Sequence, residues 1–286
     1  MSDGVLAWEG ETVTYAGPRS GWEGPVDEDL TGRAIVPGFV DAHTHLPFSG
    51  WRDDEFEARL AGATYRDQHG EGGIGRSARM LAEASDDGVI AFCLPILDEM
   101  ASHGTTALEL KTGYGLSVEA ELRQARLANR LAEEAPQTAT VTLLAGHAIP
   151  PGTTAEAWIR TACDELIPAA AAEGLCSAVD VYVEDIAFGL QDLERLAEAA
   201  QEHGLALRCH AEQLGWSGAA EMAVALGARS ADHLNHLFPG GATALGGSET
   251  CAGLLPTSTL MLGAQPPAVD ALRASGAALM LATDLN

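Results

Sequence analysis

Between residue 34 and the last residue, eight short apolar or β-branched runs alternate with segments rich in Ala, Leu, Glu and Arg. The runs are "AIVPGFVDAH", "GTTALELK", "TVTLLAGHA", "AVDVYVED", "LALRCHAE", "SADHL", "AGLLPTST" and "ALMLATD". The stretch "VEAELRQARLANRLAEEA" keeps Leu122, Ala125, Leu127, Leu131 and Ala132 broadly on one helical face, and "LQDLERLAEAAQEHG" closes with Gly204 at the C-cap position. Eight strands separated by helices predict an α/β fold, a parallel, TIM-like (β/α)8 barrel. A doubly wound open sheet is the second arrangement, but no G-x-G-x-x-G joins a strand to a helix here. Residues 1–33 read differently, as short strands and turns punctuated by Gly and Pro. The expected organisation is a small N-terminal β segment, 1–33, followed by a barrel, 34–286.

The polar residues fall at the strand ends. The first run ends in His43 and His45, the third in His147, the fourth in Glu184 and Asp185, the fifth in His210, the sixth in His233 and the eighth in Asp284. In a barrel these ends converge on one mouth, where such folds carry their active sites. Side chains two apart on a strand share a face, so His43 and His45 point the same way. A bare H-x-H reads equally well as two surface histidines. Five of the nine histidines at strand tips predict a metal site instead. His43, His45, His210 and Asp284 supply three nitrogens and a carboxylate, and a metal so held makes hydroxide available near neutral pH. Asp284 is also placed to accept the water's proton. His233 is placed to polarise a carbonyl or shuttle a proton, against the plain alternative of a hydrogen-bonded structural histidine. The implied chemistry is metal-assisted hydrolysis of a C–N bond or an ester. The only lysine, Lys111, ends the second run and not the fourth, where a carboxylated lysine would bridge two metals, so one metal is expected.

Composition narrows the partners. A formal net charge of −25 speaks against nucleic-acid and anionic-membrane partners. No apolar run approaches the roughly 18 residues of a membrane span, and "MSDGVLAWEG" lacks the basic and apolar regions of a secretory signal. Five scattered cysteines without a C-x-x-C pair point to a reducing compartment, so a cytoplasmic protein is expected. An anionic substrate would need a local cation to hold it.

The stretches "PGFVDAHTHLPFSGWRDDEFEARLAGATY", "GGIGRS", "GTTALELKTGYGLSVEAELR", "LLAGHAIPPG", "RCHAEQL", "SADHL" and "ATDLN" together resemble the imidazolonepropionases, metal hydrolases of the amidohydrolase superfamily acting in histidine breakdown. The opening H-x-H is shared by the whole superfamily, whereas "KTGYGL" and the stretch from "FSGWR" to "EFEARLAG" are much more specific. The resemblance implies ring opening of 4-imidazolone-5-propanoate by water, giving N-formimidoyl-L-glutamate. It implies one zinc or iron ion on His43, His45, His210 and Asp284. Substrate contacts fall to Arg52, Tyr114, His147 and Asn286; Gln213 assists near the ring and the attacking water, and His233 is the acid/base histidine. The planar fork of Arg52 suits a carboxylate. Tyr114 lies between Gly113 and Gly115, which reads as a loop flexible enough to bring its hydroxyl over a ligand. The expected partner is a small-molecule substrate; a homodimer is one assembly open to such a chain, and the sequence does not fix the oligomeric state.

The chain departs from the family in two places. It ends at "ATDLN", where relatives continue through a further helix and part of a small β-sandwich, so residues 1–33 are expected to be part of that sandwich and the barrel to be incomplete after strand eight. "LLPTSTLMLG" differs from the Gly-Ala and aromatic-containing version of the family, a departure that bears on ring recognition and not on the metal site. Two rival readings are a deaminase or cyclic amidohydrolase for another heterocycle, and an inactive ligand-binding barrel.

Overall fold

The structure, a computed structural model, describes residues 2–64 and 72–286. Tyr65, the last residue of the motif ending "LAGATY", lies outside the described residues. Two compact units are present, Met1–Pro37 and Gly38–Asn286. In the first, β1 (Gly4–Glu9) and β2 (Thr12–Pro18) form an antiparallel hairpin. Its two-residue turn places Gly10 at φ +58°, a left-handed conformation that favours glycine. Tyr15 packs on Trp22 at 5.2 Å and donates its hydroxyl to the Pro18 carbonyl at 2.7 Å.

The second unit is an eight-stranded sheet whose order follows the chain: β3 (Phe39–Asp41), β4 (Thr105–Lys111), β5 (Thr138–Gly146), β6 (Ala178–Val183), β7 (Ala206–Ala211), β8 (Ser230–His233), β9 (Cys251–Leu254) and β10 (Leu279–Leu281). Every neighbouring pair is parallel, and helices intervene as the alternation predicts. The first and last strands meet just beyond their ends, through a parallel bridge between Thr44 and Leu285. There the Asp284 N–H donates to the His43 carbonyl at 3.0 Å and the His45 N–H to the Leu285 carbonyl at 2.9 Å. The expected (β/α)8 barrel is the observed fold.

Several boundaries differ from expectation. "AGLLPTST" is only half strand: β9 stops at Leu254, and Pro256 opens the helix Pro256–Met261, where a fixed φ and a missing N–H suit the first turn. "AIVPGFVDAH" contributes three strand residues, so His43 and His45 sit just beyond β3. The helix Leu190–Glu202 is capped by His203, which leaves Gly204, at φ +69°, one position past the cap. The helix Val118–Glu134 buries Leu122, Ala125, Leu127 and Leu131 as its periodicity predicts, with Ala132 half-buried.

Pleating decides what fills the barrel. Leu108 and Leu110, Val179 and Val181, Leu207 and Cys209, and Ala231 join the apolar clusters packed with the helices. Because side chains alternate, their strand neighbours Glu109, Lys111, Asp180, Arg208, His210 and Asp232 occupy the opposite, inner face. Barrel interiors are commonly layered with branched aliphatic residues. Here part of the interior is ionic, and all of those groups except Arg208 are fully or almost fully buried.

Candidate active site

The histidines beyond β3 and at the ends of β7 and β8 crowd around one point. The Nε2 atoms of His43 and His45 are 3.3 Å apart, and that of His210 lies 3.5 Å from that of His45. Asp284 Oδ1 is 3.1 Å from His45 Nε2 and 3.6 Å from His43 Nε2. On the far side of the ring, His43 Nδ1 donates to Asp232 Oδ2 at 2.7 Å, and His210 Nδ1 faces Asp180 Oδ2 at 3.1 Å. With the ring proton on Nδ1, facing these carboxylates, the Nε2 lone pairs of both rings point into the same space. Lone pairs converging with a carboxylate in a buried site are a donor set for a cation. His233 closes the cluster, its ring 5.5 Å from that of His43 and 5.3 Å from that of His210. Its nitrogen also lies close enough to those of His43 and His210 for the three to hold a metal.

Burial sets the protonation states. It pushes His43 and His147 well below the ordinary imidazole range and brings His233 down to about 4. His45 is also lowered by burial, opposed by its bond to Asp284. Burial would raise Asp284, but the His45 hydrogen bond and the neighbouring His233 outweigh it and hold the carboxylate ionised. Near neutral pH these four rings and the carboxylate are in the forms that bind metal. Two of the residues have strained backbones: His233 lies at φ +76° and Asp284 at φ +60°. Non-glycine residues held there cluster at functional sites.

The cluster opens into a cavity of about 660 Å³. His45, His210, His233 and Asp284 form its floor, and Arg52, Tyr114, His147, Gln213 and Asn286 are all among its walls. His147 stacks on His45 with ring centres 4.9 Å apart and planes 15° from parallel. Tyr114 leans on His147 at 5.2 Å. Arg52, at the start of the helix Asp53–Leu60, donates from its guanidinium to Asn286 Oδ1. The Asn286 amide in turn donates to the Asp284 carbonyl at 2.9 Å. All ten residues expected at the site therefore meet there, although the chain spreads them over more than 240 positions.

Residues 34–285 match the amidohydrolase family. The chain is 42% identical over 291 residues to the imidazolonepropionase of Xanthomonas oryzae pv. oryzae (strain PXO99A), covering 100% of this chain and 73% of the relative. The imidazolonepropionase of Hyphomonas neptunium is 41% identical over 298 residues, with the same two coverages. The chain belongs to the imidazolonepropionases of the amidohydrolase family. Two solved structures share its fold at low identity. The 5-methylcytosine deaminase from Klebsiella pneumoniae superposes with a TM-score of 0.74 at 16% identity, over 99% of this chain and 72% of that one. An adenosine deaminase from Xanthomonas campestris with bound zinc gives 0.60 at 16% identity, over 99% and 65%.

Within this amidohydrolase site some residues differ from expectation. The loop bearing Tyr114 is tied down, not flexible. Glu121 accepts from the N–H groups of Gly113, Gly115 and Leu116 at 2.9, 2.7 and 3.0 Å, and Gln124 accepts from that of Tyr114 at 2.9 Å. The glycines serve close approach: a Cβ at Gly115 would sit 2.3 Å from the Glu121 nitrogen, and one at Gly113 would sit 2.7 Å from His147 Nδ1. Glu184 braces the Leu214 N–H at 2.8 Å, while Asp185 is exposed, so neither tip of β6 joins the cluster. Lys111 is fully buried against Asp180 and Glu109 at 2.6 and 2.8 Å and is not at the mouth. Sequence reasoning passed over Asp180 and Asp232, whose two-residue offsets from Tyr182 and Ser230 mark their inward faces. It also passed over Tyr182, Arg59, Ser258 and Met261 in the cavity wall. The last two lie on the helix Pro256–Met261, inside "LLPTSTLMLG".

Proposed function

We propose that the chain hydrolyses 4-imidazolone-5-propanoate to N-formimidoyl-L-glutamate, with one zinc or iron ion held by His43, His45, His210 and Asp284. The observation that carries this reading is a buried His/His/His/Asp donor cluster and the Arg52 guanidinium facing one cavity of about 660 Å³. When bound, such a metal supplies Lewis-acid chemistry and lowers the pKa of water to near neutrality. The donor set fits either ion, since imidazole and carboxylate suit both.

The protein's own groups supply the rest. Arg52, oriented by Asn286, grips the propanoate carboxylate in a bidentate fork. Tyr114 and His147 flank the planar ring, and the side-chain amide of Gln213 hydrogen-bonds a ring polar atom and the incoming water. Water oxygen adds to the ring carbonyl carbon and the carbon–nitrogen bond breaks. Asp284, ionised, takes the proton from water. His233, uncharged because it is buried, relays that proton to the departing ring nitrogen. The N–C–N unit stays on the α-carbon through its other nitrogen, as the formimidoyl group, and the former carbonyl becomes the second carboxylate of the glutamate product. Residues 34–286 form the catalytic barrel in this reading.

The test is loss of 4-imidazolone-5-propanoate absorbance with metal-replete, folded protein, with the product identified by mass spectrometry and His210→Ala as control. Rapid loss with wild type alone supports the reaction and the site. No loss despite one bound metal per chain rejects the substrate and directs attention to other cyclic amides.

A further inference from the structure

Beneath the histidine cluster, four buried charged side chains and the partly buried Arg208 alternate in sign. From His43 Nδ1 the path runs to Asp232 at 2.7 Å and from Asp232 to Arg208 at 3.2 Å. It continues from Arg208 to Glu109 at 3.1 Å, from Glu109 to Lys111 at 2.8 Å and from Lys111 to Asp180 at 2.6 Å. Asp180 Oδ2 then faces His210 Nδ1 at 3.1 Å. The arc begins and ends on two candidate metal ligands and crosses β8, β7, β4 and β6. Its members come from the inner face of those strands, and Arg208 also donates to the Ala42 carbonyl at 2.8 Å, on the stretch leading to His43.

Stability alone is a poor explanation for this arrangement. Burying charges costs several kcal/mol per ion, and well-packed apolar side chains of similar volume are often as stabilising. Aliphatic residues are the usual filling of a barrel interior. The placement of the only lysine here, fully buried between two carboxylates, is specific. Both ends of the arc are carboxylates, the type of partner that fixes which ring nitrogen of a metal-binding histidine carries its proton. The two central cations hold those carboxylates in place, Arg208 contacting Asp232 at 3.2 Å and Lys111 contacting Asp180 at 2.6 Å.

We propose that Asp232, Arg208, Glu109, Lys111 and Asp180 act as one connected set of positioning residues that aligns His43 and His210 for metal binding. The inference rests on the reading of those histidines as ligands. Glu109 touches neither ligand, yet it bridges both cations, so it is the member whose effect separates a connected arc from two independent carboxylates.

The experiment compares wild type, Glu109→Gln, Asp180→Asn, Asp232→Asn and His210→Ala, each confirmed as folded by circular dichroism. Zinc dissociation constants come from chelator competition, and ligand geometry from the visible spectrum of the cobalt(II)-loaded protein. Removing a carboxylate that touches a ligand should weaken zinc binding roughly 10- to 100-fold. Glu109→Gln should weaken it roughly 3- to 10-fold through the connection, with an altered cobalt spectrum, and the Asp180→Asn/Asp232→Asn pair should be non-additive. Wild-type affinity and spectrum in folded Glu109→Gln, or strict additivity of the pair, overturns the arc and leaves the ligand assignment standing. If wild type binds no zinc, or His210→Ala binds it equally well, the ligand reading itself fails. Should Glu109→Gln not fold, Lys111→Met replaces it under the same criteria; if neither folds, the arc is a folding element and the proposal is rejected.

Discussion

The strands of the barrel hold the site in two different ways. Along the wall, β4 to β7 are six to nine residues long, and Leu143, Val179 and Leu196 are fully buried among the helices. Along the seam, β3 and β10 have three residues each, and Phe39, Val40 and Leu281 are 58%, 60% and 63% exposed. Yet the seam carries three of the four proposed ligands. It is held by polar clasps: the Asp41 carboxylate accepts from the Thr283 N–H at 3.0 Å and its hydroxyl at 2.7 Å, beside the two backbone bonds that join His43 to Asp284 and His45 to Leu285. The wall is positioned by packing, the seam by directional hydrogen bonds, and each should fail differently.

The largest effect is expected where wall and seam meet in function. Removing the wall ligand, His210→Ala, should lower kcat/KM by on the order of 10³-fold or more and empty the site, since a metal's Lewis acidity is worth several kcal/mol. Steady-state kinetics with metal analysis checks both. Packing of the wall comes next: Leu143→Ala should cost about 2–5 kcal/mol of unfolding free energy in urea titrations, with metal affinity largely kept in the protein that remains folded.

Acid should then test the buried rings. His233 titrates near 4 in the folded chain and near 6.5 when exposed. Between those values the unfolded chain binds more protons, so stability of the metal-stripped protein falls as pH drops from about 6.5 to 4. The loss from this group is about 3 kcal/mol, and His43 and His147 act in the same direction. Urea midpoints across that range should slope less steeply in His233→Asn.

Smaller effects separate clasp from surface. Thr283→Val removes the hydroxyl donor to the buried Asp41 carboxylate while the backbone N–H bond stays, and should cost about 1–2 kcal/mol; it should also speed metal release, because the clasp adjoins Asp284. Leu281→Ala, exposed at the end of β10 two residues before Thr283, should change stability by less than about 0.5 kcal/mol. Equal losses from Thr283→Val and Leu281→Ala would remove the contrast between polar clasp and bare surface.

Much of this could be read before folding was considered. The alternation of runs implied a parallel barrel because helices and buried strands have distinct lengths and periods. The strand tips were legible because polar residues stand out against apolar runs, and His43, His45, His210, His233 and Asp284 do come together. Glu184 was misread for the same reason: a polar tip looks the same whether it faces the mouth or a neighbouring loop. Asp180 and Asp232 escaped notice inside "AVDVYVED" and "SADHL", where an acidic residue within a strand carries no local sign of its partner. Glu121 and Gln124 were lost on an amphipathic helix whose apolar spacing drew attention away from them.

The chain by itself determined the order of elements, the donor types and their position at strand ends, since these follow from local pattern and side-chain chemistry. Tertiary structure decided which donors share one point, which carboxylate orients which ring, and how a lone lysine is enclosed between two acids. Glu109 beside Lys111 excepted, those are distances between residues 24 to 241 positions apart, set by strand register and barrel closure, and no local pattern encodes them.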